Sequence, residues 1–254
     1  MKDKIIYQSL VDGRQAGQKK LAVLLDPDNG SEAVVQRLVY LAVKAKVDYF
    51  FVGGSLVTNA TIGNWIQHIK TLCNIPVIIF PGSVFQVSPQ ADALFFLSLV
   101  SGRNPELLIG QHVIAAPLIR QMNIEVMPTA YMLIDGGVPT TVSYISNSTP
   151  IPADKPQIAV CTAMAADMLG MRIIYMDSGS GAQKPISDAM ITAVSQNINL
   201  PLIVGGGIRT PKQAALSCQA GADVVVVGNA LEKDPTLMLE LAAAVHECSL
   251  PIIK

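Results

Sequence analysis

Apolar runs and amphipathic stretches alternate along this chain from one end to the other. Eight runs read as strands: LAVLL before Asp26, DYFFV before Gly53, PVIIF before Pro81, ALFFLSL ahead of Ser101, IEVMPTAYMLI before Asp135, RIIYM before Asp177, PLIV before Gly205 and DVVVV before Gly228. Most are continuous rather than alternating, the pattern of parallel strands covered on both faces. Between them, spans 31–46, 104–122, 185–197 and 211–220 read as amphipathic helices. Regular alternation of strand and helix predicts an α/β fold with a parallel sheet, and eight repeats favour a closed (β/α)8 TIM barrel over an open doubly wound sheet. The 254 residues match the usual size of one such barrel, so residues 1–254 are read as a single domain.

Two stretches break the rhythm. Span 136–156 carries four prolines and many hydroxyls, too long for an ordinary strand-to-helix loop. It follows the fifth strand, on the rim where barrels keep their chemistry, so it is expected to be a lid or a flexible loop. Span 83–92, after the third strand, is expected to replace or shorten a helix.

Composition narrows the function classes. Net charge is −1, which gives no electrostatic footprint for nucleic acid. Charged residues make up only 15% of the chain, so a helix face covered in a homo-oligomer is expected. Cys73, Cys161, Cys218 and Cys248 show neither a CxxC pair nor a histidine at metal spacing, and read as buried small hydrophobes in a reducing compartment. The opening MKDKIIYQSL has no apolar core of a signal peptide, and no apolar run approaches the roughly 20 residues of a membrane span. A cytoplasmic protein that touches a membrane surface only transiently fits these features.

Barrel chemistry sits at the C-terminal ends of strands. The residues collected there are rich in glycine, hydroxyls and carboxylates, with no histidine or cysteine among them. That weighs against a Cys–His or Ser–His nucleophile pair on this rim. The last two strands end in Gly205-Gly206-Gly207 and Gly228-Asn229, two corners whose bare backbone N–H groups can form a phosphate cup. The sixth ends in Tyr175, Met176, Asp177, Ser178, Gly179, Ser180 and Gly181. Asp177 there is either a general base toward a substrate hydroxyl or part of a capped turn. Asp26 is either an Asp-Pro turn residue or a ligand for a hard cation, with Ser55 on the neighbouring strand as a second oxygen.

The strings LLDPD, FFVGGS, IIFPGS, SGRNPELLIGQHV, YMLIDGG, DSGSGA, IVGGGIRT and VVVGNAL together resemble the geranylgeranylglyceryl phosphate synthase family, in its longer-chain branch with bacterial members. The likeness runs from about Asp26 to Asn229, nearly the whole barrel. It implies a Mg²⁺-dependent prenyltransferase that joins a polyprenyl diphosphate, typically geranylgeranyl diphosphate, to the C3 hydroxyl of sn-glycerol-1-phosphate. By this resemblance Asp26 and Ser55 hold Mg²⁺, and Asp177 and Tyr175 serve catalysis. Residues Tyr175 to Gly181, with Gly206, Gly207, Gly228 and Asn229, bind glycerol phosphate. Phe85, Leu97, Met127 and Tyr131 are candidate walls of an apolar trough for the prenyl chain.

The chain departs from the family at three points. Asp177 stands where a glutamate is usual, one methylene shorter, and Ala130 stands where glycine is frequent. Leu24 occupies the place of a lysine found in the shorter branch, which leaves Arg103 or Lys184 as the expected cation for phosphate. Two other classes fit the glycine corners: another phosphate-binding barrel isomerase or synthase, and a non-catalytic prenyl or phosphate binder. The first would need no apolar trough, and the second would release no diphosphate.

Overall fold

The computed structural model describes residues 5–29, 32–57 and 62–249; Ser31, where the first expected barrel helix begins, and the chain ends 1–4 and 250–254 lie outside them. Eight strands follow in order: β1 (Lys20–Leu25), β2 (Tyr49–Val52), β3 (Val77–Ile79), β4 (Ala93–Leu99), β5 (Glu125–Leu133), β6 (Ile173–Asp177), β7 (Leu202–Gly205) and β8 (Val224–Val227). They form a closed barrel with every neighbouring pair parallel, and β8 returns to β1 through partners running from Lys20↔Val224 to Val23↔Val227. The expected TIM barrel is therefore observed, because runs such as Phe50-Phe51-Val52 and Val224-Val225-Val226-Val227 are sealed on both faces.

The helices are α1 (Ile5–Gln15), α2 (Glu32–Ala45), α3 (Ile62–Leu72), α4 (Gln111–Gln121), α5 (Thr141–Ser146), α6 (Pro156–Met168), α7 (Asp188–Ser195), α8 (Pro211–Gln219), α9 (Asn229–Lys233) and α10 (Leu237–His246). No helix joins β3 to β4. Span 83–92 thus replaces a barrel helix and covers the sheet there with Val84, Val87 and Ala91, so that β3 stays fully buried. The expected helix over 104–122 is split: a π-helical turn (Glu106–Gly110) precedes α4. Span 136–156 is not wholly loop. Thr140 caps α5 by accepting from the Ser143 backbone, Ser143 returns the contact, and Asn147 ends the helix in the left-handed region.

Two apolar layers result. One fills the barrel, with Phe51, Phe95, Met127 and Tyr175 at its centre, and the other lies between sheet and helices. The N-terminal mouth is plugged by α1, whose first amides, Ile6 and Tyr7, both donate to the buried carboxylate of Glu125 at 2.8 Å. Arg14 and Lys19 pair with Asp223 at 2.7 and 3.3 Å on the same floor. The opposite rim is left for ligands. Cys218 is buried and Cys73 and Cys248 half-buried, but Cys161 is exposed on α6, against the expectation that all four lie inside. Cys161 follows Val160 on a helix whose inner face is taken by Ala159, Val160, Ala163 and Ala166, so its side chain falls on the outer face. Among the described residues no helix is long and apolar enough to cross a membrane.

Candidate active site

At the C-terminal ends of β6, β7 and β8 the backbone folds into a cavity of about 360 Å³ lined by Tyr175, Asp177, Gly179, Gly206, Gly228 and Asn229, among others. Gly206 has φ +81°, and a methyl group there would lie 2.6 Å from Asp177 Oδ1 and from the Ser178 amide nitrogen. Only glycine lets the β7 corner approach the β6 loop this closely. Ser180 Oγ donates to Asn229 Oδ1 at 3.1 Å, tying the β6 loop to the β8 corner. Arg209, on the cup wall, holds the same loop by donating to the carbonyls of Ala182 and Gln183.

Asp177 ends β6 with its carboxylate buried, 8% exposed. Its Oδ2 accepts from the Tyr131 hydroxyl at 2.7 Å and its Oδ1 from the Gly179 backbone N–H at 2.8 Å. Burial raises the Asp177 pKa above the ordinary carboxylate value, while these two hydrogen bonds pull it back. Burial, with the adjacent negative charge, holds the hydroxyls of Tyr131 and Tyr175 well above their usual range, so both stay protonated. The result is a carboxylate framed by two neutral phenols.

A second cavity, about 350 Å³, opens from the first at Leu24, Asp177, Ser180 and Gly228 and extends to Asp26, Asp28, Ser55 and Glu232. Asp26 Oδ1 accepts from the Asp28 backbone N–H at 3.0 Å, and its Oδ2 would lie 3.1 Å from a methyl group on Gly54. Burial raises the Asp26 pKa; the Asp28 amide it accepts from pulls it back, more than the Asp28 charge pushes it up. Among the described residues no three His, Cys, Asp or Glu side chains make a metal cage. Clustered carboxylates with a hydroxyl, short of a full cage, suit a hard cation that keeps waters and takes its remaining oxygens from a bound phosphate.

A third, mainly apolar cavity of about 120 Å³ meets the second at Gly54, Ser55 and Phe80. Leu97, Leu99, Leu107, Tyr131, Val142 and Ile145 form much of its wall. It continues past Pro81, Gly82, Leu97 and Leu107 into a groove over β4, between the segment 81–87 and α4. Glycine cup, acidic pocket and apolar trough are thus one continuous depression, with Asp177 and Tyr131 side by side where the cup gives way to the trough.

The structure gathers Tyr175, Asp177, Gly179, Ser180, Gly181, Gly206, Gly207, Gly228 and Asn229 around the cup. Met176 and Ser178 belong to the same segment but are buried without lining it, because alternate residues of a strand face opposite sides. Asp26 and Ser55 come together in the acidic pocket. Leu97 and Tyr131 line the trough; Met127 and Phe85 do not. Met127 is sealed inside the barrel four residues below Tyr131, and Phe85 is 89% exposed on the turn closed by Gln86 N–H to Ser83 O. Phe80, at the end of the third apolar run, takes the place expected for Phe85. Arg103 and Lys184 are exposed and line none of these cavities, whereas Arg209 and Lys233 line the cup. Leu107, Val142 and Ile145 were not legible from spacing, since they reach the trough only through the π-helical turn and α5.

A family model for the PcrB family matches residues 14–246. The chain belongs to the PcrB family. It is 55% identical to the geranylgeranylglyceryl phosphate synthase of Chitinophaga pinensis over 249 residues, 98% of each chain. The wild-type GGGPS of Thermoplasma volcanium superposes with a TM-score of 0.90 at 31% identity, covering 99% of this chain and 100% of that one. The Thermoplasma acidophilum (S)-3-O-geranylgeranylglyceryl phosphate synthase, solved with its substrate sn-glycerol-1-phosphate, gives 0.89 at 32% identity over 97% and 99%. This PcrB-family barrel thus matches whole proteins, not a shared fragment.

Proposed function

We propose that this chain joins a polyprenyl diphosphate, geranylgeranyl diphosphate by preference, to the C3 hydroxyl of sn-glycerol-1-phosphate, forming an ether and releasing diphosphate. The observation that carries this reading is one continuous depression, glycine-walled cup to acidic pocket to apolar trough, bridged by the hydrogen bond from Tyr131 in the trough to Asp177 in the cup. The cup offers backbone N–H groups and the side chains of Arg209 and Lys233 to a phosphate. The trough offers carbon to an isoprenoid chain, each buried methylene worth about 0.8 kcal/mol. At about 120 Å³ it is smaller than the roughly 300–1,000 Å³ of ordinary ligand pockets, so a long chain runs on from it along the open groove between segment 81–87 and α4. Support also comes from the substrate bound in the Thermoplasma acidophilum relative.

Asp26 and Ser55 would hold Mg²⁺, with Asp28 and Glu232 nearby. When bound, Mg²⁺ supplies Lewis-acid neutralisation of the charge on a departing diphosphate. The other roles belong to the chain itself. Phe80, Leu97 and Tyr131 exclude water from the allylic carbon, which would otherwise be captured by it. Tyr175 closes the cup floor, and Asp177 is the base that balances loss of the C3 hydroxyl proton. The same reading includes a cytoplasmic enzyme that meets membranes only at their surface to collect and deliver prenyl chains. It also includes a homo-oligomer that covers the exposed Val113, Ile114 and Leu118 of α4.

The test is an assay of purified protein with Mg²⁺, geranylgeranyl diphosphate and either sn-glycerol-1-phosphate or its 3-phosphate enantiomer, scored for ether product by mass spectrometry. Product from the 1-phosphate alone is expected. Glycerol phosphate binding without product from any prenyl donor would favour a non-catalytic binder.

A further inference from the structure

We propose that Tyr131 relays the glycerol proton to Asp177, so that the side chain touching the reacting hydroxyl is the phenol and not the carboxylate. The inference rests on the prenyl-transfer reading and deepens it. Both carboxylate oxygens of Asp177 are already engaged, Oδ2 by the Tyr131 hydroxyl at 2.7 Å and Oδ1 by the Gly179 amide at 2.8 Å. Oδ1 is also walled in by the backbone of Gly206, where even a methyl group would approach to 2.6 Å. The carboxylate lines the cup and the acidic pocket but not the trough, whereas Tyr131 lines the trough. The attacking oxygen must reach the allylic carbon, which the trough delivers, so it has to sit on the Tyr131 side of the pair.

A phenol that donates to a carboxylate keeps oxygen lone pairs free to accept on its other side. The step then balances. A bond forms between the C3 oxygen and the allylic carbon while the bond from that carbon to diphosphate breaks, diphosphate leaving with the electron pair. The C3 hydroxyl proton passes to Tyr131 Oη as the proton Tyr131 carried passes to Asp177 Oδ2. Tyr131 ends neutral and Asp177 ends protonated, so no phenolate accumulates. That suits a hydroxyl whose burial and charged neighbour both resist ionisation.

Tyr131→Phe isolates the hydroxyl, since the ring and its packing against Phe80 and Tyr175 remain. General acid–base groups contribute roughly 10²–10⁴-fold, so kcat should fall by about 100-fold or more with KM for sn-glycerol-1-phosphate changed by less than about threefold. The informative partner is the double variant Tyr131→Phe/Asp177→Glu. Loss of the hydroxyl opens the space into which a carboxylate one methylene longer can extend toward the substrate. The double variant should recover at least about tenfold in kcat over Tyr131→Phe. A Tyr131→Phe protein within about threefold of natural kcat, or a loss that Asp177→Glu does not relieve, would overturn the relay. Circular dichroism and thermal melting of each variant separate these results from misfolding. Ether product from the natural chain, made in parallel, keeps a failed relay distinct from a failed prenyl-transfer reading.

Discussion

The ring of Phe80 lies nearly parallel to that of Tyr175, 15° between planes and 4.9 Å between centroids. Phe80 faces the trough and Tyr175 the cup, so a single aromatic stack is the partition between them. Offset stacks of this kind add about 0.5–1.5 kcal/mol beyond burial. Phe80→Ala should therefore raise KM for the prenyl diphosphate by about tenfold, equivalent to about 1.4 kcal/mol, and move KM for glycerol phosphate less. Steady-state kinetics with each substrate varied in turn checks this.

Half-burial of the Asp26 carboxylate is a strain that raises its pKa, offset in part by the Asp28 amide donating to it. Asp26→Asn relieves that strain. The variant should melt no lower than the natural protein at neutral pH while losing most Mg²⁺-stimulated turnover. A Mg²⁺ titration of activity alongside a thermal melt reads both; unaltered Mg²⁺ dependence would remove Asp26 from the metal role.

The strands were legible in the sequence almost to the residue, because a parallel sheet sealed on both faces leaves continuous apolar runs. The cup was legible for a related reason: the strand ends are marked by glycines, and a rim inherits its order from the strands. The trough was not. Its walls come from Phe80 just past the end of β3, from a π-helical turn that advances Leu107, and from α5, whose Thr140–Ser143 capping box lay inside a span dominated by prolines. Those four prolines, Pro139, Pro150, Pro152 and Pro156, all fall outside α5 and bracket it instead. Arg209 and Lys233 were missed as phosphate cations because both stand after the glycine corners, on segments that turn back over the cup.

The pH dependence of Asp177 carries opposite signs for activity and stability. Proton acceptance needs the carboxylate, so kcat should fall as pH drops through the raised Asp177 pKa, above the roughly 3.9 of a free aspartate. For stability the folded state binds this proton more tightly than the unfolded chain. The unfavourable contribution of Asp177 is therefore full above the folded pKa and is relieved as pH falls toward the unfolded value. The melting temperature of Asp177→Asn relative to the natural protein should accordingly rise with pH across that window. A flat difference would mean that Asp177 titrates as an ordinary carboxylate.

Glu125 offers a stability test remote from the rim. It receives the amides of Ile6 and Tyr7 and is the anchor of α1 beneath the barrel. Glu125→Ala should cost about 3 kcal/mol, lowering the melting temperature by roughly 6–12 °C in a chain of this length. Turnover at 25 °C should persist, since the cup and trough open at the other end.

Assembly has its own test. Val113, Ile114 and Leu118 are exposed by 66%, 63% and 47% along α4. Val113→Asp with Leu118→Arg should shift light-scattering mass toward a single chain if copies associate there, and an unchanged mass would direct attention to another face.

The missing helix between β3 and β4 bears on how reaction and release are related. A barrel walled all round admits and returns its ligand through one mouth, so the container bounds the molecule. Here span 83–92 leaves a groove, walled on its other side by α4, that runs out from beside the reacting corner. The far end of a chain needs no compartment of its own, and a product can be anchored by its head while its tail already lies along the outer surface. Departure then resembles the unfastening of one end of a strap more than the emptying of a vessel.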